Sequence, residues 1–154
     1  MKIDIPYGAT QLTLALRDGL QAEVLRSATE GAMPARDADQ IVRGAMASPI
    51  GSLPLRELGR NKRDAIVICS DHTRPVPSRR IIPHMLRELR EANSDIRITL
   101  LIATGAHRTT THSELVEKFG REIVEREHIV VHNCGAQEEL RSIGTLPSGA
   151  PLVI

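Results

Sequence analysis

The stretch that decides the fold is AIVICSDHTRPVPS, residues 65–78, in which an apolar run leads directly into polar and proline-rich sequence. Ala65–Cys69 is rich in Ile and Val, a pattern typical of a strand that is covered on both faces in a parallel sheet. Ile96–Ala103 and Ile129–Val131 are further apolar runs of strand length, and helical patterns separate the three runs. This alternation predicts an α/β fold, in which a Rossmann-like parallel sheet carries flanking helices.

Helix signals lie between the predicted strands. Ile81–Ala92 places its apolar residues on one stripe, and Pro83 is expected to mark the first turn of that helix, where proline is tolerated. Thr111-x-x-Glu114 is a capping-box pattern that opens the next helix, which Arg121–Glu127 either continues or replaces. Pro151–Ile154 is expected to begin a fourth strand of the sheet.

The residues before the sheet predict a small antiparallel β region. Lys2–Ile5, Leu12–Leu16 and Gln21–Leu25 are short runs that partly alternate between apolar and polar residues. Asp18-Gly19 stands between the second and third runs and predicts a hairpin there, because the turn requires positive φ. A helix with Asp37 as its N-cap is expected to follow.

The composition restricts the classes of function. The 154 residues carry a formal net charge of +1, and 41% of them are hydrophobic, which fits one domain with a substantial core. Only 1% are aromatic, so the chain lacks the rings on which single-stranded nucleic acid stacks, and it has no basic block for duplex DNA. No apolar run approaches the ~20 residues of a membrane span. We therefore expect neither nucleic acid nor a membrane as a partner.

Redox and targeting signals favour a reducing cytoplasm as the location. Met1–Asp4 is not followed by the apolar run of a secretory signal. Cys69 and Cys134 form no CxxC motif, and each ends an apolar run, so we expect small buried hydrophobes rather than reactive thiols. No metal ligand is predicted in the chain.

Two polar loops follow the first two predicted strands of the sheet. Ser70–Ser78 follows Ala65–Cys69, and Thr104–Thr111 follows Ile96–Ala103. In open parallel sheets, ligands bind in the crevice beyond the carboxyl ends of the strands. If the two strands are neighbours, both loops open on one crevice, which predicts a site for a small molecule.

The residue types in these loops suit two tasks, the binding of an anion and the transfer of a proton. Arg74 can hold a carboxylate or a phosphate through a bidentate fork, and Gly105 allows close approach of the backbone. His107 is suited to proton transfer near neutral pH. The pattern also fits a simpler interpretation, in which Asp71 caps a turn and Thr109–Thr111 supply only helix-capping hydroxyls.

Weaker motifs do not support a further site. Gly144–Gly149 has the spacing of a phosphate loop, but Ala150-Pro151 stands where Lys-Ser/Thr is needed. His128 and His132 are four residues apart on a predicted strand, about 13 Å, which is too far to share one metal ion. His84 lies among helical residues and is expected at the surface.

The two loops together resemble a known family. Asp71-His72-Thr73-Arg74-Pro75-Val76-Pro77-Ser78, followed by Thr104-Gly105-Ala106-His107-Arg108, resembles the paired motifs of the nickel-dependent lactate racemases. The similarity runs along the whole chain. Members of that family are much longer, so residues 1–154 are expected to be the N-terminal domain of a longer racemase-like protein, without its C-terminal domain.

The resemblance implies a cofactor and roles for five residues. It implies a nickel-pincer nucleotide, a pyridinium mononucleotide that carries nickel on sulfur and carbon, and a 2-hydroxy acid of the lactate type as substrate. Asp71, His72, Thr73 and Arg74 match the cofactor-binding stretch, and Arg74 is also expected to steady the substrate. His107 matches one of two acid/base histidines.

Other parts of the family's site have no match in this chain. The second catalytic histidine, the lysine that tethers the cofactor and the nickel-ligating histidine are expected beyond Ile154, in the rest of the protein. The chain alone is therefore expected to be inactive. Two alternatives stay open: a stand-alone module that binds a nucleotide phosphate without chemistry, and a domain that assembles with a separately encoded catalytic half.

Overall fold

A computed structural model describes residues 1–8, 10–29 and 37–154, which divide into two units, Met1–Pro34 and Ala35–Ile154. The first unit contains the strands β1 (Lys2–Tyr7) and β2 (Thr10–Ala15). The elements of the second unit are, in chain order, α1 (Ala38–Ala47), α2 (Leu55–Leu58), β3 (Asp64–Ser70), α3 (Ser78–Ala92), β4 (Arg97–Ala103), α4 (His112–Phe119), α5 (Arg121–Arg126), β5 (His128–Val131), β6 (Ser142–Thr145) and β7 (Pro151–Val153). Within the described ranges, no helix has the length and apolar character needed to cross a membrane.

The three apolar runs form a parallel sheet, as the sequence predicts. The strand order is β3-β4-β5, with β4 at the centre. Ser70 pairs with Ala103, and Ile102 pairs with Val131, so the strands end at the same edge of the sheet. Together with the helices between the strands, this sheet confirms the predicted α/β class.

The core lies between one face of this sheet and the helices. It consists of buried aliphatic side chains from β3, β4, α3 and α4, together with Cys69 and Phe119. Leu100 and Ile102, on the central strand, are 0% exposed. Burial raises the pKa of the Cys69 thiol, in agreement with the expected buried hydrophobe. Cys134 is exposed, so that expectation is wrong for the second cysteine, which follows the sheet in a turn.

The other face of the sheet is open to solvent in the described part of the chain. Ile66 and Ile68 of β3 are 67% and 71% exposed, and Val130 of β5 is also exposed. Leu101 of β4 pairs with both Ile68 and Val130, so these side chains form one apolar patch. The expectation of a strand covered on both faces is therefore wrong for β3. An apolar run reveals the character of its own side chains, and it does not reveal whether a neighbour covers them.

One helix boundary differs from the sequence prediction, and a second decides between two alternatives that the sequence left open. Helix α3 begins at Ser78, five residues before Pro83, and the Pro77 carbonyl accepts the amides of Arg80 and Ile81. Pro83 lies inside the helix, where it removes one backbone hydrogen bond without ending the helix. Gly120 has a φ of 91° and separates α4 from α5, so Arg121–Arg126 replaces the preceding helix rather than continuing it.

The last strand does not join the parallel sheet. Strand β7 pairs antiparallel with β6, and the expectation of a fourth parallel strand is wrong. The physical reason is the length of the connection, because residues 146–150 suffice for a hairpin, whereas a parallel pair needs a crossover of about a dozen residues.

The described residues of the unit Met1–Pro34 contain one hairpin, and its turn is not the predicted one. Strands β1 and β2 pair antiparallel, with Ile3 opposite Leu14, and Gly8 in the connection has a φ of 57°. Asp18-Gly19 forms a turn, but Gln21–Leu25 is not a strand. The predicted antiparallel region is thus confirmed, whereas its third strand is wrong.

Helix α1 begins as the sequence predicts, and it accounts for a buried histidine. The carboxylate of Asp37 accepts the amides of Asp39 and Gln40 at the helix start. The Asp39 carboxylate then lies 3.3 Å from Nε2 of His84, and Arg87 lies 2.9 Å from its Nδ1. His84 is 8% exposed, so the expectation of a surface position is wrong. The helical pattern around His84 could not show that α1 packs against α3 and covers this histidine.

We expect Leu100→Ala to lower the free energy of unfolding by about 2–5 kcal/mol, because it leaves a cavity in the centre of the core. Denaturant unfolding followed by circular dichroism measures this change. Ile68→Ala on the open face is the matched control, with an expected loss below about 1 kcal/mol. Equal losses at the two positions would contradict the described difference in burial.

Candidate functional site

The loops after β3 and β4 lie together at the carboxyl edge of the sheet. Strand β3 ends at Ser70 and β4 ends at Ala103, which are paired. His72 in the first loop places Nδ1 3.2 Å from the hydroxyl of Thr110 in the second loop. The structure thus brings the two polar loops into direct contact, because parallel strands in this register end side by side.

Asp71 is almost completely enclosed at this edge, at 2% exposed. Its Oδ1 accepts hydrogen bonds from the amide and the hydroxyl of Thr73, at 3.1 and 2.7 Å. Its Oδ2 lies 2.5 Å from Nδ1 of His107, in the other loop. The hydrogen bonds from Thr73, followed by the one from His107, lower the pKa of Asp71 to about 2. The carboxylate is therefore ionised near neutral pH.

His107 has one bound ring edge and one exposed ring edge. Its side chain is 45% exposed, although Nδ1 faces the buried Asp71. The backbone amide of His107 donates to the carbonyl of Thr104 at 3.0 Å, in a turn where Gly105 adopts a φ of 57°. Within the described residues, no hydrogen bond reaches Nε2 of His107. This arrangement leaves Nε2 available to a ligand.

Arg108, the second arginine of the two loops, is already engaged. It holds the carboxylate of Glu114 through two nitrogens, at 2.9 and 2.5 Å. Glu114 also accepts the amide of Thr111 at 2.8 Å and completes the predicted capping box of α4. Arg108 is the main cause of a pKa of Glu114 far below the usual range. The sequence showed the capping box but not that Arg108 neutralises its carboxylate.

A cavity of about 260 Å³ lies between the first loop and α4. It is lined by His72, Arg74, Val76, Glu114, Glu117 and Lys118. The Arg74 guanidinium is exposed and makes no hydrogen bond or ion pair with the described residues. Lys118 donates from Nζ to the Arg74 carbonyl at 3.0 Å and so brings a second cation to the cavity. Sequence reasoning missed Lys118, which lies in the last turn of α4, away from both motifs.

Two hydroxyls and a histidine also lie at this edge, those of Ser70, Thr104 and His132. The Oγ of Ser70 is buried and has no hydrogen-bond partner among the described residues. Thr104 is 2% exposed and donates to the carbonyl of His132 at 2.7 Å, with Nδ1 of His132 3.1 Å away. In the described ranges, no three His, Cys, Asp or Glu side chains converge in a way that would hold a metal ion.

The predicted site residues therefore fall into two environments. Asp71 and Thr73 join His107 in one hydrogen-bonded group, whereas His72 and Arg74 line the cavity on the side of α4. His107 is not among the residues that line this cavity. The simpler interpretation is also seen in part, since Asp71 accepts the Thr73 amide.

Comparisons with known proteins cover almost the whole chain. A family model described as the lactate racemase N-terminal domain matches residues 7–154. The chain is 43% identical over 152 residues to the lactate racemase of Thermoanaerobacterium thermosaccharolyticum and 42% identical to that of Lactiplantibacillus plantarum. Each alignment covers 99% of this chain but 36% of the relative, so the chain spans about a third of the length of these relatives.

A solved structure shows the same fold. The lactate racemase apoprotein from T. thermosaccharolyticum superposes with a TM-score of 0.83 at 42% identity, over 100% of this chain and 35% of that chain. A protein from Thermotoga maritima, 21% identical with a TM-score of 0.56, shares the fold over 75% of this chain. On the strength of the matched residues and the identity to two lactate racemases, this chain belongs to the lactate racemase family, within its N-terminal domain.

Proposed function

We propose that this chain is the N-terminal domain of a racemase for 2-hydroxy acids of the lactate type, and that it supplies one acid/base histidine and a cofactor-binding loop. The observation that carries the proposal is the placement of His107. Its Nδ1 is fixed by the buried Asp71, while its side chain remains 45% exposed. The identity of 42–43% to two lactate racemases supports this choice of reaction.

The residues at the sheet edge fit the phosphate of a mononucleotide. Arg74 has no protein partner among the described residues, and Lys118 is nearby, so two cations face the cavity. Glu114, whose carboxylate lies 3.7 Å from Nε2 of His72, is neutralised by Arg108. These features support the nickel-pincer nucleotide that the resemblance implies. In this proposal His72, Thr73 and Arg74 hold the group, and Asp71 shapes their loop.

In the proposed mechanism, His107 accepts the hydroxyl proton of the substrate. When bound, the cofactor supplies an acceptor and donor for the hydride of the substrate Cα. With such a group to accept the hydride, Nε2 of His107 would take the hydroxyl proton as the substrate becomes a planar 2-oxo acid. The reverse of these transfers on the other face of the 2-oxo acid would return a proton to the oxygen and give the other enantiomer. Arg74 holds the substrate carboxylate during this exchange.

The rest of the site belongs to a further domain in this proposal. The relatives are almost three times as long as the matched region, which supports a C-terminal domain as the partner of this one. That domain would supply the second histidine, the tethering lysine and the nickel ligand. The two free cysteines, Cys69 and Cys134, support a location in the cytoplasm.

The cavity also favours a second candidate function. Arg74 and Lys118 would bind a phosphate even if His107 performed no chemistry, as in a stand-alone nucleotide-binding module. The two functions differ in the role of His107, which the following substitutions separate.

We expect His107→Ala to reduce racemisation of lactate by at least about 10²-fold, because general acid–base catalysis contributes about 10²–10⁴-fold. The protein is expressed with any coding sequence that follows residue 154, loaded with cofactor, and assayed by optical rotation. His112→Ala, an exposed histidine at the start of α4, is the control with unchanged activity. Unchanged racemisation in the His107 variant would exclude the acid/base role and favour the binding module.

We expect Arg74→Ala to reduce cofactor affinity about 10- to 100-fold, because a charged hydrogen bond contributes about 1.5–3 kcal/mol. Cofactor retained after gel filtration is measured by its nickel content and absorbance. Arg121→Ala, which removes an exposed arginine paired with Glu125, should retain the cofactor fully. Equal retention in both variants would show that Arg74 does not bind the phosphate.

A further inference from the structure

We propose that Asp71 is a positioning residue, which fixes His107 in the tautomer that carries hydrogen on Nδ1 and leaves Nε2 free to accept a proton. This inference rests on the proposed function, because it explains how His107 is prepared as a base. It differs from the role that the resemblance implies, in which Asp71 belongs to the residues that bind the cofactor.

The contact between the two side chains determines which ring nitrogen of His107 carries hydrogen. An ionised carboxylate has no hydrogen to donate, so it only accepts hydrogen bonds. Oδ2 of Asp71 lies 2.5 Å from Nδ1 of His107, and the low pKa of Asp71 keeps the carboxylate ionised at neutral pH. The hydrogen of this bond must therefore be on Nδ1. In a neutral imidazole, Nε2 then carries the lone pair.

The side chain of Asp71 is enclosed by the protein. Its side chain is 2% exposed, so a cofactor or a substrate has almost no surface of Asp71 to contact. Oδ1 is already occupied by the amide and the hydroxyl of Thr73. The remaining oxygen, Oδ2, faces His107. A carboxylate in this environment acts through its neighbours rather than on a ligand.

Two other histidines near the sheet have a different neighbour. His72 and His128 each place Nδ1 within 3.2 Å of a threonine hydroxyl. A hydroxyl can donate or accept, so it does not select one tautomer. The buried carboxylate beside His107 does select one.

Thr73 determines which carboxylate oxygen faces the imidazole. Both hydrogen bonds that Thr73 donates go to Oδ1, which leaves Oδ2 for His107. The hydroxyl oxygen of Thr73 also lies 3.5 Å from Nδ1 of His107. In an Asp71→Asn variant, the same two donors would keep the amide oxygen on the Thr73 side. The amide nitrogen would then face Nδ1 and donate to it, so the ring hydrogen would move to Nε2. His107 would keep its place, but its Nε2 would carry hydrogen and could no longer accept a proton.

The direct test is the tautomer of His107 in the unaltered chain. Long-range ¹H–¹⁵N NMR of labelled protein above the imidazole titration range distinguishes a protonated Nδ1 from a protonated Nε2. We expect a single Nδ1–H form for His107. The Nε2–H form, or a mixture, would overturn the positioning role without any need for a variant.

Variants then connect the tautomer with the reaction. We expect Asp71→Asn to shift His107 to the Nε2–H form and to lower kcat about 10²- to 10⁴-fold, with cofactor retention unchanged. Thr73→Val keeps the carboxylate, so its His107 should remain Nδ1–H. Asp64→Asn removes an exposed carboxylate at the start of β3 and should change neither the tautomer nor the activity.

The outcomes separate the two proposals. Loss of cofactor in Asp71→Asn, with the His107 tautomer unchanged, would assign Asp71 to cofactor binding and overturn this inference. If Asp71→Asn does not fold, the tautomer of the unaltered chain still decides. Racemisation that survives His107→Ala would overturn the proposed function itself, whatever tautomer the NMR spectra show.

Discussion

One buried carboxylate connects the two loops on which the candidate site depends. Asp71 accepts hydrogen bonds from its own loop through Thr73 and from the neighbouring loop through His107. Such a group is stable in a protein interior only when donors compensate for its lost hydration. The loops must therefore keep their relative placement for as long as Asp71 remains ionised. The parallel pairing of β3 with β4 makes this possible, because it ends the two strands side by side.

The sequence predicted those parts of the fold that are encoded locally. The three strands of the sheet, the Asp37 cap and the Thr111 capping box all follow from short patterns of residue type. The errors concern partners that are distant in sequence. The open face of β3, the burial of His84 and the antiparallel pairing of β7 each depend on which element lies alongside. A pattern within one element does not contain that information.

For the candidate site, too, the sequence predicted what is encoded locally and missed contacts between distant residues. The two motifs identified Asp71, Arg74 and His107, because adjacent parallel strands end at one edge. They did not identify Lys118, which reaches the cavity from the end of α4, or the neutralisation of Glu114 by Arg108. They also gave no distinction between a residue that faces a ligand and one that supports its neighbour. Burial supplies that distinction, since Asp71 is enclosed while Arg74 is exposed.

The open sheet face affects how the protein should be assayed. Ile66, Ile68 and Val130 present aliphatic side chains to water beside Leu101, and environment-sensitive dyes bind apolar surface of this kind. Dye fluorescence of the folded chain would start from a high baseline, and heating would add little to it. Such a trace resembles that of a partly unfolded sample. Melting of this chain is better followed by ellipticity or calorimetry, which do not respond to the exposed patch.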